Sequence, residues 1–245
     1  MVEVLGPEVA TDVVIEIDDL RVDYDGVEIL HGINCSVQRG EFVSIVGKSG
    51  CGKSTLLLAL AGFIPSEGRV TRPAEIGMVF QSYAVFPWLT VRGNIAFGVR
   101  ETDRAERERV IAKHLKLVDL EHHASKYPSQ LSGGQTQRVA LARAMAPNPS
   151  VILMDEPFGA LDAFTRDRMQ EWLQDVWERD HKTVLFVTHN IEEAIFLSDR
   201  IVTMGDGQVL DDLPVRLRRP RPPEVKFDHE FVELKRQIVQ RMLEG

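Results

Sequence analysis

The chain has 245 residues, 44% of them hydrophobic, and a formal net charge of −8 at pH 7. This length and apolar content are enough for a globular protein with a core and exclude a disordered chain. The negative charge argues against a surface built to neutralise nucleic-acid phosphates, and the two cysteines, Cys35 and Cys51, lack the spacing of a zinc site.

The apolar runs and the first residues indicate where the protein is located. The longest uncharged apolar run, around residues 56–64, is far shorter than the ~20 residues that a membrane-spanning helix needs. The opening sequence MVEVLGPEVATDVV contains acidic residues, no Lys or Arg and no apolar core of the signal-peptide type. We therefore expect no membrane-spanning segment and a location in the reducing cytoplasm.

The first hydrophobic segments alternate with polar residues. Within residues 12–38 these segments are VVIEI, LRVDY and VEIL, and Asp25-Gly26 between the second and the third is a hairpin turn signal. The pattern predicts that the chain opens with an antiparallel sheet.

Four later segments are continuously apolar. They are FVSIVG (42–47), IGMVF (76–80), VILMD (151–155) and TVLFVT (183–188). Strands that are buried on both faces, as in parallel sheets, have this composition. The chain is therefore predicted to be an α/β protein with a mostly parallel central sheet.

A glycine-rich loop follows the first of these strands. Residues 47–54, GKSGCGKS, match GxxxxGK[ST] and precede the helical run TLLLALA. In such a loop glycines let the backbone wrap around phosphates, Lys53 adds a positive charge and the Ser54 hydroxyl can bind Mg²⁺. A chance match is the alternative, which the strand before and the helix after disfavour. The predicted nucleotide-binding residues are Gly47, Lys48, Ser49, Gly50, Cys51, Gly52, Lys53, Ser54 and Thr55.

Helical signals replace strand signals between residues 82 and 149. Ile111, Leu115 and Val118 recur at helical spacing, which predicts a helical subdomain inserted into the α/β core. The sequence LSGGQ (131–135) then precedes the run RVALARAMA and offers a second helix N-terminus with unhindered amides. An ordinary Ser-Gly helix cap is the alternative interpretation.

Polar side chains follow three of the buried strands. They are Gln81, the pair Asp155 and Glu156, and His189, and in an open α/β sheet ligands bind outside the carboxyl ends of the strands. We expect Asp155 to hold Mg²⁺, with Gln81 sensing Mg²⁺ or water. Glu156 would orient and deprotonate the attacking water, and His189 would hydrogen-bond the γ-phosphate. Taken alone, two acidic residues after a strand usually belong to a solvated loop, and a lone histidine usually has a structural role. The phosphate loop that precedes these residues in the chain favours the functional interpretation.

The composition changes again after residue 207. The sequence LPVRLRRPRPP indicates a Pro/Arg connector, and a short helix is predicted from about residue 228. The apolar side of that helix is predicted to consist of Phe231, Leu234, Ile238 and Met242.

Taken together, these motifs resemble the ATPases of ABC transporters. The segments GKSGCGKST, LSGGQ and VILMDEP, with Gln81, Ala160-Leu161-Asp162 and His189, occur in the order and rough spacing of that family over nearly the whole chain. The resemblance implies a P-loop NTPase fold and hydrolysis of ATP with Mg²⁺. It also implies a head-to-tail dimer, in which the LSGGQ of one copy closes over the ATP bound by the other.

The resemblance assigns further roles to individual residues. Ser132, Gly133, Gly134 and Gln135 would contact ATP in trans. Asp162 would couple the two sites, and Tyr24 matches the aromatic residue that stacks on adenine. For Tyr24, a strand tyrosine beside a hairpin turn is the alternative.

The resemblance also implies a domain organisation. A single ABC ATPase domain is expected over residues 12–245, with an α/β core (12–81 and 150–212), a helical subdomain (82–149) and a C-terminal connector and helix (213–245). The uncharged stretch YAVFPWL (83–89) would receive a coupling helix of a membrane permease, unless it packs within the helical subdomain.

Three segments resemble importers of the nitrate, sulfonate and taurine group: FPWLTVRGNIAFGV, HNIEEAIFLSDRI and LPVRLRRPRPP. This implies a protein held on the inner face of the cell membrane by its permease, with a periplasmic binding protein as an indirect partner and no nucleic acid. The chain departs from the usual pattern at Lys48, Thr136 and Asn190, and each departure could alter the rate.

The hypothesis is therefore an ATP-hydrolysing transporter subunit that powers import of a small anion such as nitrate, sulfonate or taurine. One alternative is an ABC-type ATPase acting on DNA or ribosomes, but such proteins carry coiled-coil, zinc or tandem-cassette insertions that are not visible here. A second is a regulatory module with little turnover, which would be expected to lack Glu156 or His189.

Overall fold

A computed structural model describes residues 2–4, 13–100 and 103–244. The first and last residues of the predicted domain, Asp12 and Gly245, lie outside the described residues. The strands are β1 (Val2–Val4), β2 (Val13–Tyr24), β3 (Val27–Gln38), β4 (Phe42–Gly47), β5 (Glu67–Arg72), β6 (Ile76–Val79), β7 (Val151–Asp155), β8 (Thr183–Thr188), β9 (Arg200–Gly205) and β10 (Gln208–Pro214). The α-helices are α1 (Lys53–Ala61), α2 (Val91–Gly98), α3 (Arg104–Leu117), α4 (Gly133–Met145), α5 (Ala163–Asp180), α6 (Ile191–Leu197) and α7 (His229–Glu244).

The N-terminal sheet is largely antiparallel, in the order β1-β5-β2-β3. The predicted hairpin turn is confirmed at Asp25-Gly26, where both residues have positive φ. The runs VVIEI and LRVDY, however, form one continuous strand, β2, whose pairing with β3 shifts register at several points. Such irregularities bend a strand and interrupt its alternation, which is why the sequence suggested two segments.

The central sheet has the order β10-β9-β4-β8-β7-β6 and is parallel except for β10. All four predicted buried strands are present, as β4, β6, β7 and β8. The sequence did not predict β9 and β10; β10 alternates between exposed and half-buried residues at the edge of the sheet, and it extends beyond the predicted core boundary at residue 212.

Two apolar clusters enclose the central sheet, one on each face. Alternate residues of β4 divide between them: Val43 and Ile45 pack with α1 and the N-terminal sheet, whereas Phe42 and Val46 pack with the helices of the other face. This is the period-2 alternation of a strand that is covered on both sides. Such burial holds β4, and with it the start of the glycine-rich loop, in a fixed position.

The segment between β6 and β7 is helical, as expected, and contains α2, α3 and α4. The predicted apolar stripe is buried, since Ile111, Leu115 and Val118 are at most 7% exposed. Helices α2 and α4 approach closely at Gly98, where a Cβ atom would lie 2.5 Å from the Arg143 carbonyl oxygen. The exact subdomain boundaries remain a prediction.

The C-terminal segment folds back over α6. Of the predicted apolar side of α7, Phe231 and Ile238 are buried, and Leu234 and Met242 pack against the same cluster. Within the described residues, no helix combines the length and apolar character that would let it cross a membrane.

Arg221 is the largest fully buried side chain of the C-terminal connector, at 2% exposure. Its Nη1 donates to the carbonyl oxygens of Ile195, Phe196 and Ser198 at 2.8–2.9 Å. Its backbone N–H and C=O are both bound by the side-chain amide of Gln174. Burial lowers the pKa of Arg221 to about 10, so the guanidinium is charged at neutral pH.

We expect Arg221→Met to lower the free energy of unfolding by roughly 3 kcal/mol, because hydrogen bonds to a charged group contribute about 1.5–3 kcal/mol each and three buried carbonyls would lose their donor. Denaturant unfolding measures the change. Arg218→Met, at an exposed neighbouring position, is the control and should change stability by less than about 0.5 kcal/mol. Equal stability of the two variants would contradict the assigned role.

Candidate functional site

The glycine-rich loop turns from the end of β4 into α1 with two glycines at positive φ, Gly50 at 85° and Gly52 at 98°. A Cβ atom on Gly52 would lie 2.7 Å from Leu30 Cδ2, so only glycine fits there. The Lys53 ammonium lies inside the curve of the loop, where it donates to the carbonyls of Gly47 (3.0 Å) and Lys48 (2.9 Å). The loop thus has the curvature and the buried positive charge of a phosphate-binding loop.

The turn between β9 and β10 supports this loop from outside. Gly207 donates to the Cys51 carbonyl (3.3 Å), and its own carbonyl accepts from His31 (2.9 Å), so the turn joins the loop to β3. A cavity of about 230 Å³ lies beside the loop. Its lining residues are Lys48, Ser49, Gly50, Cys51, Met204, Gly205, Asp206, Leu210 and Met242. Sequence reasoning missed this support, for which Asp206-Gly207 between two apolar runs was the available signal.

Ser54 and Asp155 come together although they are far apart in the chain. The Ser54 hydroxyl donates to Asp155 Oδ1 at 2.9 Å. Asp155 is 8% exposed, and burial raises the pKa of its carboxyl group. The hydroxyl and carboxylate oxygens form an all-oxygen donor set, which suits Mg²⁺ when phosphate oxygens and water complete the coordination.

Glu156 is the centre of the remaining strand-end residues. His189 Nδ1 donates to Glu156 Oε2 at 3.0 Å, and Gln81 Nε2 lies 3.5 Å from the same oxygen. Glu156 has φ 39°, an uncommon backbone conformation, and its N–H is bound by the Val187 carbonyl of β8 (2.9 Å). The structure therefore gathers Gln81, Glu156 and His189 at one edge of the sheet.

The turn that carries His189 is tied to the first turn of α6. The Asn190 side chain caps this helix by accepting from the amides of Glu192 (2.9 Å) and Glu193 (3.2 Å). The Thr188 hydroxyl accepts from the Asn190 amide (3.0 Å) and donates to the Glu193 carboxylate (2.7 Å). Sequence reasoning missed this network, because the burial of the polar residues Thr188 and Glu193 does not follow from local composition.

The loop after Gln81 is held by two helices. Tyr83 and Ala84 both have positive φ, and their carbonyls accept from the Arg143 guanidinium of α4. The Asn94 amide of α2 is fully buried and binds the backbone of Phe86 through both its oxygen and its nitrogen. These contacts fix the predicted permease-contacting stretch to the helical segment.

An aromatic patch lies on this loop and on α2. Phe86 contacts Trp88 (ring centroids 5.3 Å apart) and Phe97 (4.6 Å). Trp88 and Phe97 are 69% and 67% exposed. Large aromatic side chains exposed together are typical of a protein–protein contact surface.

The LSGGQ segment forms the N-terminus of α4. Ser132 and Gln135 form a reciprocal capping box: the Ser132 hydroxyl accepts from the Gln135 amide (3.3 Å), and the Gln135 side chain accepts from the Ser132 amide (3.0 Å). Thr136 donates its hydroxyl hydrogen bond to the Ser132 carbonyl (3.1 Å). A cavity of about 240 Å³ opens here, lined by Ser132, Gly134, Gln135, Arg138, Thr165, Arg168 and Met169.

Asp162 lies next to this helix end. It caps α5 by accepting from the Thr165 amide (3.0 Å), and that hydrogen bond lowers the pKa of its carboxyl group. A Cβ atom on Gly133 would lie 3.2 Å from Leu161, and one on Gly134 would lie 3.0 Å from Thr165. The LSGGQ segment and Asp162 therefore form one surface at the N-termini of α4 and α5.

Among the residues that the structure describes, no hydrogen bond links this second surface to the phosphate loop. The hydrogen bonds of Ser132 and Gln135 remain within their own helix end, whereas Ser54, Asp155 and Glu156 lie with the first group. Tyr24 ends β2 and is 45% exposed; in the described part of the chain it has no ring contact or side-chain hydrogen bond to the loop.

Comparison with known proteins shows which family the chain is similar to. The ABC transporter family profile matches residues 30–159. The chain is 41% identical to the taurine import ATP-binding protein TauB of Escherichia coli (strain K12), over 94% of this chain and 97% of that protein. It is 44% identical to the bicarbonate transport ATP-binding protein CmpC of Synechococcus elongatus, over 86% of this chain but 34% of that protein.

Solved structures of ATP-binding cassettes also resemble the chain. The chain resembles the dimeric, post-hydrolysis state of the ATP-binding cassette MJ0796 bound to ADP and Pi, with a TM-score of 0.73 and 34% identity over 83% of this chain and 100% of that one. It also resembles cbiO1 of Clostridium perfringens, part of the ABC transporter complex cbiONQ, with a TM-score of 0.78 and 27% identity over 96% and 97% of the two chains. These similarities confirm the predicted fold class.

The support of the phosphate loop by Gly207 can be tested with Gly207→Ala. A Cβ atom there would lie 2.3 Å from the Ile29 carbonyl oxygen, at φ 74°. We expect the free energy of unfolding to fall by roughly 2–4 kcal/mol, because left-handed strain is combined with a backbone clash. ATP binding should weaken at least severalfold in calorimetric titration, because the displaced turn no longer holds Cys51.

The matched control is Gly26→Ala, at φ 84° with no atom within 4 Å of the added Cβ. It carries the left-handed strain alone, which costs about 1–2 kcal/mol. Suppose that Gly207→Ala binds ATP with unchanged affinity and loses no more free energy of unfolding than Gly26→Ala. That result would show that the turn does not support the loop.

Proposed function

Because the chain belongs to the ABC transporter family as an ATP-binding and ATP-hydrolysing subunit, we propose that Glu156, at the sheet edge that holds the phosphate loop, is its general base. The observation that carries this proposal is the contact of one carboxylate oxygen, Glu156 Oε2, with both His189 and Gln81. A base must be held within hydrogen-bonding reach of its partners to accept a proton in a defined direction.

The phosphate loop binds and orients the nucleotide. The amides that open α1 face the phosphates, and the Lys53 ammonium, already inside the loop, exchanges its contacts with Gly47 and Lys48 for phosphate oxygens. Ser54 and Asp155 would hold Mg²⁺, which supplies positive charge to the phosphate oxygens when bound. The Tyr24 ring, exposed at the end of β2, is proposed to stack on the adenine.

Hydrolysis then depends on the strand-end residues. Glu156 accepts a proton from the attacking water, and Gln81 helps to orient that water. His189 holds the Glu156 carboxylate in position through Nδ1 and hydrogen-bonds the γ-phosphate. The step is a transfer of the γ-phosphoryl group of ATP to the oxygen of water: the bond from the γ-phosphorus to the bridging oxygen breaks, ADP leaves, and a proton of the water passes to Glu156.

The second surface completes the site across a dimer. Ser132, Gly133, Gly134 and Gln135 are proposed to contact the ATP bound by a second copy, and Asp162 beside them to couple the two sites. The support comes from the hydrogen bonds of Ser132 and Gln135, which stay within their own helix end, and from the dimeric cassette MJ0796, which this chain resembles. Closing the dimer over ATP and reopening it after hydrolysis would drive the transport cycle.

The other partner is a membrane permease. The aromatic patch of Phe86, Trp88 and Phe97 is the surface we propose for its coupling helix, because the patch is exposed and fixed to the helical segment. The protein would then lie on the cytoplasmic face of the membrane, with a periplasmic binding protein as an indirect partner. The names of TauB and CmpC favour import of a small anion such as taurine, another sulfonate, nitrate or bicarbonate.

Glu156→Gln should lower the turnover of ATP by roughly 10²–10⁴, because the amide cannot accept the proton of the attacking water. ATP affinity should be retained, since Lys53 and Ser54 are unchanged. With ATP and Mg²⁺ the variant should accumulate as a dimer, which light scattering after size exclusion measures.

The control for this substitution is Glu171→Gln, at an exposed position on α5, which should hydrolyse ATP at the unsubstituted rate. Normal hydrolysis by Glu156→Gln would refute its role as the base. A variant that binds ATP but stays strictly monomeric would refute the composite site.

Trp88→Ser should reduce co-purification of a hydrophobic multi-span membrane protein from the native host while leaving the basal ATPase rate unchanged. The reason is that Trp88 supplies exposed apolar area and lies outside the nucleotide site. Phe227→Ser, which removes another exposed aromatic ring (86% exposed), is the control and should leave co-purification intact. Equal loss in both variants, or loss in neither, would contradict the proposed permease surface.

A further inference from the structure

Helix α6 begins at Ile191, two residues after His189, and is tied to the end of β8. Thr188, Asn190 and Glu193 connect the end of β8 to the first turn of the helix through three hydrogen bonds of 2.7–3.2 Å. A displacement of α6 must therefore displace the backbone of His189. Because the helix has only seven residues, contacts at its far end act on the same rigid unit.

The far end of α6 is held by two arginines of the C-terminal connector. Arg221 donates to the carbonyls of Ile195, Phe196 and Ser198, as described above. Arg219 donates to the Leu197 carbonyl and pairs with Asp199 (2.9 Å). The connector thus supplies donors to the unpaired carbonyls that every helix has at its C-terminus.

Two lysines further along the chain hold α6 from its side. Lys235 of α7 forms an ion pair with Glu192 (2.6 Å). The Lys226 ammonium lies 5.1 Å from the centre of the Phe196 ring, and its hydrogen bonds to Asp167 (2.6 Å) and Gln170 (3.0 Å) join it to α5. Four basic side chains from the C-terminal segment therefore contact one short helix or the residues that flank it.

The opposite side of α6 contacts the turn that carries Asp162. Arg166 donates to the carbonyls of Phe158 (3.4 Å) and Leu161 (2.9 Å) in that turn, and it lies 3.4 Å from Glu193. The Glu193 carboxylate is 4% exposed and so has no access to water that could replace these partners. Helix α6 thus lies between the C-terminal segment and the turn proposed to couple the two sites.

We infer that Arg219, Arg221, Lys226 and Lys235 form a C-terminal clamp that positions α6 and thereby sets the His189 ring against Glu156. The clamp residues touch neither nucleotide nor reacting atoms, so they are positioning residues. Arg221 is the principal one, because it makes the largest number of contacts with α6 and is fully buried. The inference rests on the roles proposed above for His189 and Glu156, and it gives the C-terminal segment a part in hydrolysis.

Arg221→Lys tests the clamp, because it keeps the charge but loses the planar set of donors. We expect kcat for ATP hydrolysis by the full chain to fall about ten- to a hundredfold, since a misplacement of 1 Å can lower a rate by about 100-fold. KM for ATP should stay within about twofold, because the phosphate loop is untouched. A thermal melt establishes that the variant is folded at the assay temperature.

Lys235→Met is a milder variant that keeps the apolar part of the side chain and remains informative if Arg221→Lys fails to fold. Its kcat should fall about two- to fivefold, as the loss of a partly exposed ion pair allows. Arg236→Met is the matched control, because Arg236 is on the same helix but pairs with Glu233 of that helix. Its kcat should be unchanged.

A double-mutant cycle with His189→Ala separates positioning from general destabilisation. If the clamp acts through His189, adding Arg221→Lys or Lys235→Met to His189→Ala should not lower the single-turnover rate further. Three results would each overturn the inference. The first is a single-turnover rate of the double variant that falls by the product of the two single losses. The others are a kcat of folded Arg221→Lys equal to that of the unsubstituted chain and a loss of kcat in Arg236→Met as large as in Lys235→Met.

Failure of the proposed function gives a different result. His189→Ala alone would then hydrolyse ATP at the unsubstituted rate. The clamp is still tested in that case by the ¹⁵N–¹H spectrum of the histidine rings, with the His189 signal assigned by its loss in His189→Ala. Arg221→Lys should shift this signal as the hydrogen bond to Glu156 changes, and Arg236→Met should not. An unshifted signal would overturn the clamp.

Discussion

The parallel hydrogen bonding of β4, β8 and β7 is the constraint on which the candidate site depends. Val46 lies opposite Thr188, and Asp155 lies opposite Val187, so these strands end at nearly the same level. Parallel strands all present their carboxyl ends to one edge, and residues that are separated by more than a hundred positions therefore meet there. Ser54 reaches Asp155 because the glycine-rich loop turns from the end of β4 into α1 at the same edge at which β7 ends. The burial of β4 and β8 on both faces holds the backbone of this edge in place, so that binding of an anion requires only the Lys53 side chain to exchange partners.

The second surface follows from a different constraint, the packing of two helix N-termini. Gly133 and Gly134 have no side chains to separate α4 from α5, and this lets Leu161 and Thr165 approach within ordinary contact distance. Both helices direct the positive ends of their dipoles toward this surface, and Arg138 and Arg168 of the neighbouring cavity add positive charge. An anion therefore has two favourable places on one chain, and no hydrogen bond among the described residues links them. In the proposed dimer, a twofold axis would bring the place on one copy to the other place on its partner.

The sequence alone was sufficient for much of the fold and for most of the site. The phosphate loop, the strand-end acids and the apolar strands were predictable, because each depends on local composition and on a pattern a few residues long. Strands β5, β9 and β10 were not predicted. Strands β5 and β10 are largely exposed or half-buried and lack a continuous apolar run, whereas β9 is a buried parallel strand whose short apolar run is interrupted by Thr203. The support from Gly207 and the burial of Arg221 were equally invisible. Both depend on which distant segments meet, and a positively charged connector such as LPVRLRRPRPP reads as a solvated linker until the carbonyls that it binds are known.

Asn190 shows how the choice of a neutral capping residue can have a local electrostatic reason. The position caps α6, and either Asn or Asp can accept the two amides that its side chain receives. Carboxylates already surround it: Glu192 and Glu193 follow directly, and Glu156 lies across the His189 ring. An Asp would add a fourth negative charge to this cluster, which would repel an incoming phosphate and disfavour ionisation of Glu193, whose pKa burial already raises. A neutral amide keeps the cap without that charge, so the turn that holds His189 can stay rigid while the phosphate edge remains attractive to an anion.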